Sequence, residues 1–305
     1  MRTEATYEEL RPLLFSIAYR MIGSVSEAED IVQEAFLRIH RAEAEGTRIE
    51  SPKAYLSAVT TRLSIDHLKS ARVRREQYVG QWLPEPLLTD DSAPDAAAHA
   101  ETADSLSLAF LVLLESLTPV ERAVFLLREV FDYGYDAIAG IVDRTEHNCR
   151  QLYVRARRHV DEGRPRFEAS RKQRDELVER FFAAAERGDL AALEEMLAAD
   201  VVVYGDGGGK APSWPKPIYG RERVAKLIAG TLKQVKEFGV TLRAAHINGQ
   251  PGVVFLDDED RIGAVMSVDV ADGLVQTIRG VTNPDKLEHL GPVLDAREVL
   301  RKNRH

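Results

Sequence analysis

The sequence predicts a multidomain chain in which two all-α units precede an α+β unit. Three observations carry this expectation. Apolar residues recur with helical spacing from the N-terminus to about residue 162. Between Arg75 and Arg122 that pattern is interrupted by a stretch with nine acidic residues and no Lys or Arg. Beyond residue 200 the apolar period shortens to the two-residue period of a strand. At 305 residues the chain also exceeds what one hydrophobic core usually serves.

Taken in order, Leu10, Leu13, Leu14, Ile17, Ala18 and Met21 mark the first helix, which turns at Gly23. Ser26 and Glu29 have capping-box spacing and are expected to open a second helix running to about Arg41. AEAEGTRIESP reads as a polar loop, and Pro52 stands near the start of a third long helix, KAYLSAVTTRLSIDHLKSARVRRE. From Gln77 to Glu101 the chain is irregular, acidic and Pro-containing. A compact helical unit follows over roughly 102 to 162, then a short linker, GRPRFEASRKQ. Helices at 173–187 and 189–198 lead into VVVY (201–204) and a glycine loop. A helix at 221–237 precedes three or four strands, the clearest being RIGAVMSVDV. Its Ile262, Ala264, Met266, Val268 and Val270 alternate onto one face. The boundaries expected are 1–76, an acidic linker at 77–101, 102–165, a linker at 166–172, 173–290, and a tail at 291–305 that forms a short basic helix or frays.

Composition narrows the function. Hydrophobic residues make up 44% and charged residues 30%, as in a globular chain. The longest apolar run, LAFLVLL (108–114), is far too short for a membrane span. MRTEATYEEL has no secretory apolar core, so a cytoplasmic protein is expected. Cys149 is the only cysteine, which excludes an internal disulfide and a cysteine-rich zinc site. No cofactor or metal is indicated. The net charge of −8 argues mildly against nucleic acid, but the cations are gathered in two clusters.

In DYGYDAIAGIVDRTEHNCRQLYVRARRHV, a short helix (Tyr135–Val142), a turn and a second helix capped by Thr145 have helix-turn-helix spacing. Cys149, Leu152, Tyr153, Ala156 and Val160 form one face of that second helix. His147, Arg150, Gln151, Arg155 and Arg158 form the other, where long donors suit a major groove. A merely solvated basic helix is the plainer alternative. The first cluster places Arg62, Asp66 and Lys69 on one face, extended by Arg72, Arg74 and Arg75. It can track a phosphate backbone or simply end a helix. In SEAEDIVQEAFLRIH, Ile31, Ala35 and Ile39 lean inward. Asp30, Gln33, Glu34 and Leu37 line an outer face that suits either a protein partner or solvent.

Together these segments resemble a bacterial extracytoplasmic-function (ECF) RNA polymerase sigma factor. AEDIVQEAFLRI, SPKAYLSAVTTRLSIDHLKSARVRRE, LTPVERAVFLL and RQLYVRARRHV carry the resemblance. It implies a region 2 helical bundle and a region 4 helix-turn-helix. It implies that Asp30, Gln33, Glu34 and Leu37 grip the β′ clamp helices of core RNA polymerase. It also implies that Arg62 to Arg75, with the loop from Ala44 to Ser51, read the promoter −10 element by capturing a flipped base. Residues 146–158 would read the −35 element, and the acidic linker would thread the RNA path. Two positions depart from the family pattern. Arg62 stands where many relatives carry Asn, and Asp143 stands in the turn where many carry Gly. Few aromatics occupy the −10 region, Tyr55 being the main one, which implies weak intrinsic melting.

Residues 173–290 resemble the SnoaL-like branch of the nuclear-transport-factor-2 (NTF2-like) cone fold. The ECF41-like, or SigJ-like, group of sigma factors carries this fusion, with three pentapeptides. All three are present: Trp82, Leu83, Pro84, Glu85, Pro86; Asp206, Gly207, Gly208, Gly209, Lys210; and Asn283, Pro284, Asp285, Lys286, Leu287. The expectation is that WLPEP docks where the other two meet. Trp82 would supply buried area, and Glu85 would meet Lys210 or the glycine amides. The cone would then act as a built-in regulator by fixing how the DNA-binding domains sit. The alternative is Trp82 packed on a sigma-domain helix beside a mobile turn. Cone folds also include isomerases and cyclases, with Asp206, His246 and Asp269 the candidate acid/base groups here. The expectation is that the chain is not an enzyme. Sensing of a small molecule in the cone is the stronger rival.

Overall fold

The computed structural model describes the backbone of residues 2–76, 78–89, 105–163 and 170–295; side chains of residues 2–6, 71–76 and 163 lie outside the described set. The chain forms two units. One comprises Met1–Gln77 with Leu111–Arg164, the other Tyr78–Phe110 with Pro165–His305.

The first unit is helical. It holds α1 (Arg2–Ile22), α2 (Val25–Ala44), α3 (Pro52–Glu76), α4 (Leu108–Leu114, shared with the second unit), α5 (Pro119–Glu129), α6 (Tyr135–Val142) and α7 (Glu146–Gly163). Leu10, Leu14, Val32, Ala35, Phe36, Ile39 and Leu56 close the core of α1–α3. The cap of α2 is not Ser26 with Glu29. Ser24 is the N-cap, and its hydroxyl accepts from the Glu27 N–H at 3.3 Å. Val25 is buried and must already be helical to fill the bundle, which moves the start of the helix two residues earlier. Thr118 and Glu121 form a full capping box ahead of Pro119 on α5.

Two arginines hold the pieces of this unit together. Arg122 on α5 is 2% exposed and donates from Nε and Nη2 to the Arg20 carbonyl at the end of α1, at 3.2 and 3.0 Å. Its other amine pairs with Glu115. Burial pulls its guanidinium down to about 9, still charged at neutral pH. Arg62 on α3 donates to the carbonyls of Ile141 at 2.8 Å and Gly140 at 2.6 Å, at the C-terminal end of α6. There the unpaired carbonyls and the helix dipole favour a cation.

The second unit carries α8 (Arg171–Arg187), α9 (Leu190–Met196) and α10 (Arg221–Glu237), with strands β1 (Leu88–Thr89), β2 (Leu197–Asp206), β3 (Ile218–Tyr219), β4 (Thr241–Ile247), β5 (Gln250–Leu256), β6 (Ile262–Ala271) and β7 (Leu274–Val281). The sheet order is β1-β4-β5-β6-β7-β2-β3, with β2 parallel to β7 and the other pairs antiparallel. Register shifts at Phe255/Leu256, Asp269/Val270 and Leu197/Val202 bend the strands, as bulges do. Phe181, Phe182, Val224, Ile228, Val253, Phe255, Met266, Val268 and Ile278 form the core between helices and sheet.

Three local expectations change. The helix expected at 189–198 ends at Met196, because buried Leu197 opens β2. In β6, Met266, Val268 and Val270 join the core with Ala264 at its margin, whereas Ile262 pairs with the segment after the last strand. The acidic linker is not irregular throughout, since Leu88 and Thr89 pair with Ile247 and His246 at the edge of the sheet. The tail forms the bridge from Val293 to Ile262, and its last ten residues lie outside the described residues.

Replacing Arg122 with Ala removes the buried cation that Glu115 and the Arg20 carbonyl share. We expect a loss of about 3 kcal/mol in the unfolding transition of the helical unit, read by chemical denaturation and far-UV circular dichroism. Asp143 ends α6 with φ 54 and ψ 58, a left-handed conformation that favours Gly. Asp143→Gly is expected to stabilise the same unit by about 0.5 to 1 kcal/mol in the same measurement.

Candidate nucleic-acid interface and linker-docking site

The helix-turn-helix is built from α6, the left-handed Asp143 and α7. The Thr145 hydroxyl accepts from the Asn148 N–H at 3.2 Å and starts α7. Cys149, Leu152, Ala156 and Val160 are buried, and Tyr153 is half-buried. His147, Arg150, Gln151, Arg155 and Arg158 are exposed. The side chains of Gln151 and His147 meet at 3.0 Å. Arg150 pairs with Glu146 at 2.8 Å and lies 4.5 Å from the centre of the Tyr135 ring. Arg158 pairs with Glu162 at 3.2 Å and Arg155 with Glu121 at 3.4 Å. Solvated pairs of this kind are worth well under about 1 kcal/mol, so phosphates or base edges can replace the carboxylates at little cost.

The first basic face is divided. Arg62 is committed to α6 as described above. Lys69 pairs with Asp66 at 2.8 Å, both exposed. The side chains of Arg72, Arg74 and Arg75 lie outside the described residues. On α2, Asp30, Gln33 and Leu37 are exposed and Glu34 is half-buried. Arg38 pairs with Glu34 at 2.8 Å, and its hydrogen bond holds that carboxyl below the usual range. Leu37, half exposed, gives this acidic face an apolar spot.

In the second unit the three pentapeptides come together on one carboxylate. Asp206, at the end of β2, has no exposed surface. Its Oδ2 accepts from the Leu83 N–H at 2.8 Å and from Lys286 Nζ at 2.7 Å. Its Oδ1 accepts from the Tyr78 hydroxyl at 2.5 Å and the Gly208 N–H at 3.0 Å. Lys286 also donates to the Leu83 carbonyl, and its Nζ lies 4.4 Å from the centre of the Trp82 ring and 4.9 Å from that of Tyr78. Burial, then the Asp206 carboxylate, push the Tyr78 phenol well up, so it remains a donor. Asn283 donates to the Tyr78 oxygen at 2.9 Å, and a side chain at Gly208 would collide with Asn283. Leu83 and Glu85 are buried and Trp82 half-buried.

The acid-base partners differ from the expected ones. Lys210 pairs with Asp285, not with Glu85. The lysine that reaches the linker is Lys286, and the carboxylate it meets is Asp206. Three further contacts fell outside the motif reading. His289 Nε2 donates to the Pro86 carbonyl at 2.8 Å. Asn248 accepts from the Leu87 N–H at 2.8 Å and donates to the Leu106 carbonyl at 2.9 Å. Tyr78 sits four residues before Trp82, with only its aromatic character as a signal.

The candidate acid/base groups are engaged separately. Asp206 neutralises Lys286, Asp269 pairs with Arg279, and His246 meets Asp175 at 3.0 Å. None of the three lines the apolar cavity of about 320 Å³ between α10 and the sheet. Among the described residues no group of metal-ligating side chains is found, and no helix is long and apolar enough to cross a membrane.

Three family descriptions match successive parts of the chain. Residues 6–74 match Sigma-70 region 2, residues 107–160 match Sigma-70 region 4, and residues 178–282 match the SnoaL-like domain. The ECF RNA polymerase sigma factor SigJ of Mycobacterium tuberculosis is 36% identical over 293 residues, covering 92% of this chain and 91% of SigJ. The probable ECF sigma factor SigI of the same species is 33% identical, covering 94% of this chain and 95% of SigI. The crystal structure of SigJ superposes with a TM-score of 0.73 at 34% identity, over 93% of this chain and 98% of that one. Similarity of this extent shows that the chain belongs to the extracytoplasmic-function family of RNA polymerase sigma factors.

Proposed function

We propose that this sigma factor contacts its promoter through two separate basic faces and is regulated from within by its own cone. As a sigma factor the chain binds core RNA polymerase and directs transcription initiation. The exposed acidic face of α2, with Leu37, is assigned to the β′ clamp helices. His147, Arg150, Gln151, Arg155 and Arg158 are assigned to the −35 element. Lys69 and Arg72, Arg74 and Arg75 are assigned to the −10 element. Arg62 joins them only when it leaves the end of α6.

The observation that carries the regulatory reading is the tether at Asp206. The segment joining the two sigma regions is held on the cone by Tyr78, Trp82 and Leu83, then by Leu88 and Thr89 as a strand. A linker so fixed has less free chain with which to let region 4 move away from region 2. The ion pair of Asp206 and Lys286 is buried, so breaking it from one side is costly. The ammonium against the Trp82 ring adds on the order of 2 kcal/mol in a desolvated setting.

Catalysis has less support, because the apolar cavity has no ionisable lining and Asp206 and Asp269 each neutralise a buried cation. His246, in a separate cavity of about 430 Å³, is engaged by Asp175. Sensing of a small molecule is favoured over catalysis by the apolar cavity.

Run-off transcription with reconstituted polymerase tests both levels. Arg150→Ala or Arg155→Ala is expected to weaken holoenzyme binding at a cognate promoter by at least about fivefold, the low end of the ~1 to 3 kcal/mol that a base contact contributes. Unchanged binding across a salt series would remove the −35 assignment. Trp82→Ala and Lys286→Met are expected to change promoter output and to expose the linker to protease. A full chain unaffected in both respects, and equal in output to versions cut near residue 165 and after Leu290, would remove the regulatory reading.

A further inference from the structure

The cone cavity is walled by the same backbone that docks the linker. Residues Ala211 to Trp214 form one side and follow directly on the Asp206–Lys210 loop. Thr282, on the other side, donates to the Pro212 carbonyl at 2.9 Å and to the Asp206 carbonyl. The Thr282 and Asn283 amides also donate to that Asp206 carbonyl, at 2.8 and 3.0 Å. Trp214 lies on two glycines: a Cβ at Gly205 would sit 2.9 Å from its ring and one at Gly280 would sit 3.6 Å away. The ring can come this close to the strand only because Gly205 lacks a side chain, whereas a Cβ at Gly280 would make ordinary contact. The cavity wall therefore cannot shift without pulling on the residue that accepts from Leu83, Tyr78 and Lys286.

The lining also defines an occupant. In a chain with 30% charged residues, none of the residues around this cavity ionises. The polar side chains are Ser213, Thr231, Gln234 and Thr282, and the rest is apolar or aromatic. The volume of about 320 Å³ suits a small organic molecule. A charged ligand would be desolvated there without a counter-charge. The chain's own last ten residues are a poor fit for the same reason, since Arg297, Arg301, Lys302 and Arg304 would meet no carboxylate.

We infer that the cone binds an uncharged, mainly apolar small molecule carrying one or two hydrogen-bonding groups, and that its binding strengthens docking of the 78–89 linker. Because the cavity wall is joined to Asp206, filling the cavity favours the docked state to the extent that the wall changes when the linker leaves. This rests on the regulatory reading of the Asp206 tether and adds the chemical class of the signal and the sign of its effect.

The full chain supplies its own reporter, because Trp82 and Trp214 are its only tryptophans. In Trp82→Phe, energy transfer from Trp214 to the uncharged dye N-phenyl-1-naphthylamine reports occupation of the cavity. Saturable transfer is expected, with at least tenfold weaker binding of the anionic 8-anilino-1-naphthalenesulfonate. Ala264→Phe, which fills the cavity, and Gln234→Leu, which removes a polar group but keeps the bulk, separate loss of the site from loss of the fold. Both are checked by thermal melting. Binding is expected to fall at least tenfold in Ala264→Phe and to persist in Gln234→Leu. In the wild-type chain, hydrogen exchange of the Leu83 amide is expected to slow about tenfold at a dye concentration ten times its dissociation constant. Three results each overturn the inference: no saturable transfer, equal binding of the anion, or exchange that is unchanged or faster. Tighter dye binding by a chain ending at Asp295 also overturns it, because the tail would then be the natural occupant. If these fail while Trp82→Ala still alters transcription, the regulatory reading stands without a ligand.

Discussion

A carboxylate with no access to water must be neutralised where it sits, and most of the linker's geometry follows from how Asp206 meets that requirement. It takes a full cation from Lys286, a phenol from Tyr78 and two backbone N–H groups, from Leu83 and Gly208. Two of these four donors belong to the linker. An Asp206 that lost the linker would retain Lys286 but would need water in place of Tyr78 and Leu83. The tether is therefore an exchange of protein donors for solvent donors. Such an exchange is a small difference between large terms.

The helical unit answers a similar problem with cations. Arg122 and Arg62 both point guanidinium groups at the ends of helices, where unsatisfied carbonyls collect. Their roles diverge with burial. Arg122 is enclosed and paired with Glu115, so it acts as a permanent fastening. Arg62 is exposed, and of its two carbonyl partners Gly140 is an exposed residue and Ile141 a buried one. That contact is less enclosed than the one made by Arg122. It also gives a structural reason for an arginine where family members often have Asn.

The helices were legible because their signals are local and repeated. Apolar spacing marked the faces of α1, α2 and α7 without any knowledge of the partner helix. The change to a two-residue period marked the sheet in the same way. What sequence could not supply was the choice between near-equivalent neighbours. Ser24 and Ser26 both have a Glu three residues on, and only the burial of Val25 decides which one caps the helix. Lys210 and Lys286 both lie in motifs expected to meet the linker. Which of them turns inward depends on the path of the chain after β7, which no periodicity encodes. Leu88 and Thr89 are too few to show alternation, so a strand made of them is visible only beside β4.

That short strand has a further consequence. By pairing with His246 and Ile247, Leu88 and Thr89 cover part of the margin of β4, which would otherwise present bare amide and carbonyl groups. Without this pairing β4 would offer a template to a foreign segment. The two-residue strand therefore guards that edge against self-association.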